Sequence, residues 1–169
     1  MTYQVPDLLT GTELALLATV GKAENSSGLP RWQQVHFNRD VARQFFNLEP
    51  GDDRSITLEK LSTAGRVVER KCKKLVFSQS SNRNPKIEFH FGPTDLQYPQ
   101  DSQRPLLVVV ESAHLTYRYR TLMPGDEGHD AIQRLLDAGP SVGRGLPRRI
   151  VTLDDIEAYW PGAALRGGI

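Results

Sequence analysis

The sequence predicts a mainly β fold, a barrel or sandwich of seven or eight strands with two or three flanking helices. Three observations support this class. Apolar residues occur in short runs, and several of these runs alternate with polar residues as half-buried strands do. Pairs of Gly and Pro punctuate the chain as turns. Helical periodicity is confined to a few segments, so strands and helices do not alternate as they do in a parallel α/β protein.

The first part of the chain predicts two strands and a helix. Residues 14–20 favour a buried strand, although residues 8–17 also fit a helix. Residues 35–37 alternate with polar neighbours and predict a short strand. Asn38 is a good N-cap for a helix that ends at Pro50. The apolar face of this helix consists of Val41, Phe45 and Leu48.

The middle of the chain predicts strands around a basic run. A turn at residues 52–54 precedes a short strand marked by Ile56 and Leu58. Residues 67–77 predict one or two strands, and residues 86–91 predict another.

The last part predicts three strands and two helices. Residues 105–111 are the most apolar run and predict a central strand, and residues 114–121 alternate as a half-buried one. Residues 126–138 predict a helix that opens on two acids and closes before Gly-Pro. A short strand at 150–151 leads into a helix over 152–160, which opens on a capping-box pattern.

Composition indicates one globular domain over residues 1–169. Hydrophobic residues make up 38% of the chain and charged residues 24%, which is typical of a folded domain. The single cysteine, Cys72, excludes an internal disulfide and fits a reducing cytosol. There is no run of 18 apolar residues and no signal pattern at the start, so we expect a cytoplasmic protein with no membrane partner.

Positive charge is concentrated in one region of the sequence. The formal net charge is only +1. Residues 66–88 nevertheless contain seven basic and two acidic residues, whereas residues 91–137 contain four basic and seven acidic ones. We therefore expect one basic side on a nearly neutral molecule, as a local footprint on phosphates requires. A solvated charged strand without a partner is the alternative.

Two polar connections are longer than ordinary hairpin loops, namely residues 22–34 (the first arm) and residues 78–86 (the second arm). Both carry amides, hydroxyls and cationic side chains. In the major groove, Arg forms bidentate hydrogen bonds with guanine, and Asn or Gln does so with adenine. Hydroxyl groups donate hydrogen bonds to phosphate oxygens. The arms are therefore candidate readers of duplex DNA, and polar surface loops are the alternative.

The role expected of each candidate DNA-binding residue follows from the chemistry of its side chain. The candidates for guanine edges or adjacent phosphates are Lys22, Arg31, Arg83 and Lys86. The candidates for adenine edges, or for guanine acceptors through their amide donors, are Asn25, Gln33, Gln34 and Asn84. The candidate acceptor from cytosine is Glu24. The candidates for phosphates are Ser26, Ser27, Ser78, Ser80, Ser81, Lys73 and Lys74. Asn82 completes the DNA-binding set, and Trp32 either stacks on a sugar or base or wedges the first arm against the barrel.

A self-contained metal-dependent nuclease is an alternative function. Glu69 and Lys71 form a Glu-x-Lys pattern with Asp53 upstream, in which the acids would hold a divalent metal and the lysine would assist water. A barrel that binds a peptide or small ligand through the same loops is a third. The four histidines have no ligand spacing typical of zinc, and the glycine-rich residues 139–145 lack the ending of a phosphate loop.

The order of these pieces resembles the N-terminal effector DNA-binding domain of EcoRII-type restriction endonucleases, a pseudobarrel shared with plant B3 transcription-factor domains. The resemblance spans residues 14–165. It is carried by Gln34-Val35-His36-Phe37 running into the helix, by Asn82-Arg83-Asn84-Pro85-Lys86, and by the ending over 152–161.

The resemblance implies a B3-like DNA-binding pseudobarrel whose two arms clasp the major groove of the sequence CCWGG. The matching arm residues are Lys22, Asn25, Ser26, Gln34, Arg83, Asn84 and Lys86. The chain departs from the family at Ile87 and Phe89, where more polar residues are expected. The family also implies a bacterial type II restriction endonuclease whose separate, covalently linked nuclease domain uses Mg²⁺. The DNA-binding domain described by this sequence would then be a monomer with no catalytic residue, metal or cofactor of its own.

Overall fold

A computed structural model describes residues 13–22, 31–79, 85–93, 95–100 and 102–166. These residues contain eight strands and three helices. The strands are β1 (Leu14–Thr19), β2 (Gln34–His36), β3 (Asp53–Leu61), β4 (Val67–Val76), β5 (Lys86–Glu88), β6 (Leu106–Ala113), β7 (Thr116–Leu122) and β8 (Arg148–Thr152). The helices are α1 (Arg39–Gln44), α2 (His129–Asp137) and α3 (Leu153–Tyr159). The predicted mainly β class is confirmed.

Six strands form one open mixed sheet in the order β4-β3-β7-β6-β1-β8. β3 and β7 are parallel, and the other neighbours are antiparallel. β2 and β5 pair separately as a two-stranded antiparallel unit, which we call the ribbon. The result is an open, pseudobarrel-like arrangement.

The centre of the large sheet is buried on both faces. In β1, Leu16 and Ala18 pack into one apolar cluster, while Ala15 and Leu17 pack into a second one on the other face. The first cluster contains the buried residues of α1 and the ribbon, and the second contains those of α2 and α3. A strand covered on both faces has a continuous apolar run. The ribbon and α1 therefore form a separate layer over one face of the sheet.

The helix after β2 begins where the sequence predicts but ends earlier. The Asn38 side chain accepts a hydrogen bond from the Val41 amide, as an N-cap does. The helix ends at Gln44 instead of continuing to Pro50. The reason is that the chain turns at Asn47, which has a left-handed φ of 56°.

The two C-terminal helices cover the opposite face of the sheet. α2 starts at His129, later than the predicted acids, because Asp126 instead accepts from the Met123 amide in the turn before the helix. The capping box predicted for α3 is confirmed, since Thr152 and Asp155 each bind the other's backbone amide. Among the described residues, no helix is both long enough and apolar enough to cross a bilayer.

Two local predictions are wrong. Residues 14–17 belong to strand β1, so the alternative helix over residues 8–17 does not include them, and residues 8–12 lie outside the described ranges. Asp53, expected in a turn, is the first residue of β3 and lies opposite Val76. Both errors arise because pairing with a distant strand determines these residues' conformation.

Candidate nucleic-acid interface

A single loop fastens both ends of the first arm. Of this loop, residues 91–93 and 95–100 are described. The Tyr98 hydroxyl donates to the Val20 carbonyl at 2.7 Å, just where the chain leaves β1. The Trp32 indole N–H donates to the Leu96 carbonyl at 2.9 Å, just before the chain enters β2. Because both ends are tied to the same loop, the base of the first arm has a fixed position.

Trp32 and Gln33 belong to this anchor, which corrects the prediction that they contact DNA. Only 1% of Trp32 is exposed, and its ring packs 4.9 Å from that of Phe91. Gln33 is buried, donates to the Pro93 carbonyl at 2.8 Å and accepts from the Phe91 amide at 2.8 Å. Buried polar groups of this kind hold backbone in place. Of the two roles expected for Trp32, the wedge is the one that the structure supports.

The ends of the second arm are held by the region around α1. Phe77 is buried; its amide donates to the Asp52 carbonyl at 2.9 Å and its carbonyl accepts from the Gly51 amide at 2.7 Å. Ser78 follows, half-buried. On the return, the Pro85 carbonyl accepts from the Phe37 amide at 2.8 Å. The second arm therefore returns directly onto the strand that the first arm enters.

The ribbon brings together the C-terminal ends of the two arms, which lead into β2 and β5. Its central pair, Val35 and Ile87, is buried against the aromatic core. The flanking pairs point the other way, as alternation along a strand requires. They are Gln34 opposite Glu88 and His36 opposite Lys86. The outward face thus carries polar side chains, with one arm returning at each end.

Positive charge gathers around His36, at one end of this outward face, whereas the other end carries Glu88. Lys86, Arg31 and Lys22 are exposed. The pKa of His36 lies below its usual value, first because the ring is partly buried and then because the charges of Lys86 and Arg31 oppose its protonation. The same two charges repel any further cation and attract an anion. Lys86 and Arg31 therefore provide a local cationic surface around His36, although Glu88 lies on the same face of the ribbon and the chain is nearly neutral overall.

Arg148 ties this surface to the large sheet. Its buried guanidinium donates to the carbonyl of Thr19 at 2.9 Å and to that of His36 at 3.0 Å, and it also reaches the carbonyls of Leu146 and Pro147. Burial lowers the pKa of Arg148 to about 10. The same guanidinium lines a small cleft of about 160 Å³ beside Lys22. One side chain thus joins the ends of β1 and β2 to β8.

The two lysines of β4 lie on opposite faces of the strand. Lys73 is partly buried and shares a face with Leu75, which packs into the same core cluster as the ribbon. Lys74 points to the other face, and its ammonium lies 3.4 Å from an Asp53 carboxylate oxygen. Lys73 therefore lies on the same face of β4 as a residue of that core cluster, and its contact with phosphate stays a prediction. The prediction for Lys74 is corrected, since its side chain is on the far side of the sheet.

The alternative nuclease site is not assembled. Asp53 lies opposite Val76, whereas Glu69 lies opposite Lys60. Seven strand positions separate the two acids, about 23 Å at about 3.3 Å per residue. Glu69 instead lies 3.3 Å from the Lys71 ammonium. Among the described residues, no group of three or more His, Cys, Asp or Glu is placed to hold a metal ion.

Half of the predicted contacts lie outside the described residues. Gln34 and Lys86 lie on the outward face of the ribbon, Lys22, Arg31 and Ser78 lie near the bases of the arms, and Lys73 lies on β4. The predictions that fall outside are Glu24, Asn25, Ser26, Ser27, Ser80, Ser81, Asn82, Arg83 and Asn84.

Three residues near the arms escaped the sequence-based prediction. His36 was missed because its position on the outward face depends on the pairing of β2 with β5. Arg39 was missed because its partner, Phe77, is distant in sequence. Arg148 sits in a strand that carried no functional signal. The alternation of residues 34–38 was the one available sign that His36 faces outward.

Comparison with known proteins finds similarity among solved structures alone. No protein-family model matches the chain, and no curated protein matches it. Among solved structures, the N-terminal domain of Helicobacter pylori LlaJI.R1 is similar, with a TM-score of 0.48 and 9% sequence identity, over 82% of this chain and 97% of that chain. The resemblance to EcoRII-type effector domains and B3 domains stays a prediction.

Proposed function

We propose that the chain, a single domain over residues 1–169, binds double-stranded DNA in a sequence-specific way through its two arms. The observation that carries this proposal is that both arms return onto one ribbon, and that Lys86 and Arg31 place positive charge around His36 on its outward face. DNA affinity depends on neutralising phosphates, and specificity depends on side chains that reach base edges. The positive charges beside the ribbon would neutralise phosphates, and the side chains of the arms would reach the base edges.

The dimensions of the ribbon suit the major groove. The first arm returns at Gln33, which accepts from the Phe89 amide, and the second returns at Pro85, which accepts from the Phe37 amide. Residues 33 and 37 are four strand positions apart, about 13 Å. The major groove is about 12 Å wide and admits a two-stranded β-ribbon. Two segments rooted at this spacing would meet the two walls of one groove.

The finer proposal follows the family resemblance. The target is CCWGG, and the domain acts as the monomeric recognition and effector part of a bacterial, cytoplasmic type II restriction endonuclease. Cleavage belongs to a covalently linked nuclease domain that uses Mg²⁺, whereas the DNA-binding domain itself needs no cofactor. Selection of bound sequences from a random duplex pool tests the target. Enrichment of an unrelated sequence would overturn CCWGG and keep DNA binding.

Base reading by the second arm is tested with Arg83→Ala. We expect the affinity ratio between a CCWGG duplex and a scrambled duplex to fall about 5- to 150-fold, the equivalent of about 1–3 kcal/mol for one lost bidentate contact. Fluorescence anisotropy at fixed salt measures the ratio. Lys74→Gln is the control, since Lys74 lies on the opposite face and should leave it unchanged.

An unchanged ratio in Arg83→Ala would remove Arg83 from base reading. No affinity of the unmodified protein for any duplex at low salt would overturn DNA binding as a whole. That result would favour a barrel that binds a peptide or small ligand.

Binding should also depend on pH through His36. In the free protein its pKa is lowered, partly by Lys86 and Arg31. A nearby phosphate stabilises the protonated ring, so the pKa is higher in the complex and binding takes up a proton. We therefore expect affinity to rise as pH falls from about 7.5 to about 5.5, around the ordinary histidine pKa of about 6.5.

Anisotropy titrations across this pH range measure the effect, and His36→Gln should flatten it. His90→Gln is the matched control, because His90 is already 2.8 Å from the Glu69 carboxylate, which leaves it less able to respond to a phosphate. If His36→Gln retains the full pH dependence, His36 does not face the DNA.

A further inference from the structure

Two arginines of α1 lie over the same aromatic ring. The guanidinium carbon of Arg39 is 4.5 Å from the centroid of Phe77, and that of Arg43 is 5.8 Å away. The two residues are one helical turn apart, so their side chains leave the same face of α1. Phe77 is fully buried and bound through its backbone on both sides. The ring is therefore a fixed platform for both cations.

The two arginines differ in their ion pairing. Arg43 lies 3.7 Å from a Glu49 carboxylate oxygen, so its charge is partly compensated. Arg39 has no carboxylate within ion-pair distance in the part of the chain that the structure describes, and its side chain remains partly exposed. Its neighbour Asp40 is exposed and makes no ion pair with it among these residues. A guanidinium held over a ring still has N–H donors at its edge, and those of Arg39 are available to an anion.

Arg39 stands at the base of the second arm. That arm departs after Phe77, which lies beneath Arg39, and returns at Pro85, which binds the Phe37 amide. α1 begins two residues after Phe37. Arg39 thus lies between the departure and the return, in the same layer as the ribbon.

We propose that Arg39 contacts a DNA phosphate at the base of the second arm, with Arg43 contributing a weaker second charge. This inference rests on the proposed DNA-binding function and extends it to residues outside both arms. Phosphate is the expected ligand because the side chain is held by Phe77 on the body of the domain, whereas base edges lie deeper in the groove, within reach of the arms. The planar guanidinium matches phosphate geometry, and such a contact positions the arm without reading sequence.

The test compares Arg39→Gln, Arg39→Lys and Arg134→Gln with the unmodified protein. Arg134 is exposed on α2, on the opposite side of the sheet, so its replacement removes the same charge far from the arms. Affinity for a CCWGG duplex and for a scrambled duplex is measured by anisotropy from 50 to 300 mM salt. Thermal unfolding of each variant shows whether the fold is retained.

We expect Arg39→Gln to weaken binding to both duplexes about five- to tenfold at 100 mM salt and to reduce the salt slope by about 1, because one counterion fewer is released. Their affinity ratio should stay the same. Arg39→Lys should keep the salt slope, because lysine keeps the charge, and Arg134→Gln should match the unmodified protein.

Three outcomes would overturn the inference while DNA binding stands. The first is an unchanged salt slope in Arg39→Gln. The second and third are a loss of affinity in Arg39→Lys or in Arg134→Gln as large as the loss in Arg39→Gln. A change in the affinity ratio would instead assign Arg39 to base reading. If the unmodified protein binds no duplex, the proposed function and this inference fail together.

Discussion

Replacing Arg148 with methionine is expected to lower the free energy of unfolding by about 2–4 kcal/mol, because it removes charge-assisted hydrogen bonds and leaves buried carbonyls without a donor. Methionine keeps the apolar stem of the side chain but cannot donate. The carbonyls of Thr19 and His36 would lose the donor that Arg148 provides. For a chain of this size, the melting temperature should fall by about 5–15 °C. Calorimetry or thermal circular dichroism measures it.

Arg144→Met is the matched control for this prediction. Arg144 lies in the loop before β8, and its side chain is exposed. The control should change the melting temperature by no more than about 2 °C, as surface substitutions usually do. A drop in Arg148→Met no larger than this would mean that its hydrogen bonds add nothing net to stability.

Replacing Gly128 with alanine is expected to lower the free energy of unfolding by about 2–5 kcal/mol, the sum of a strained backbone and an overfilled core. Gly128 has a φ of 93°, which disfavours any side chain. A methyl group there would also overlap the ring of Trp160. That ring is 5% exposed and lies beneath the Arg120 guanidinium, 4.7 Å from its centroid, so it has little room to move. Urea unfolding measures the loss.

Gly125→Ala separates the two contributions. Gly125 has a φ of 94°, but a methyl group there would meet nothing within 4 Å. It should therefore cost only the backbone term, about 1–2 kcal/mol. Equal losses in the two variants would show that Trp160 yields to the methyl group and that the core is not tightly packed at this point.

Elements with strong local signals were predicted well. β1 and β6 were recognisable because strands buried on both faces have unbroken apolar runs. The start of α1 and the capping box of α3 depend on residues three apart, so the sequence contains all the information needed. The two long connections, between β1 and β2 and between β4 and β5, followed from the polar composition of residues 22–34 and 78–86.

Features that depend on distant pairing could not be predicted. Gln33 is polar and lies in a polar stretch, yet its amide is buried because the backbone around Phe91 and Pro93 needs a partner. Nothing near Gln33 in sequence indicates this. Likewise, the separation of Asp53 from Glu69 depends on the register of β3 against β4. The ribbon itself pairs residues about fifty positions apart, and only that pairing assigns His36 to the outward face.

The order of strands has a consequence for biosynthesis. β1 lies between β6 and β8, so the first of the described strands acquires its two neighbours only after the chain has been translated as far as β6 and then β8. Arg148, which fastens the base of the first arm, is made later still than β6. During folding on the ribosome, the ribbon therefore cannot be tied to the large sheet through Arg148 until β8 has been synthesised. The hydrogen bonds from Arg148 to Thr19 and His36 can form only after β8 has left the exit tunnel.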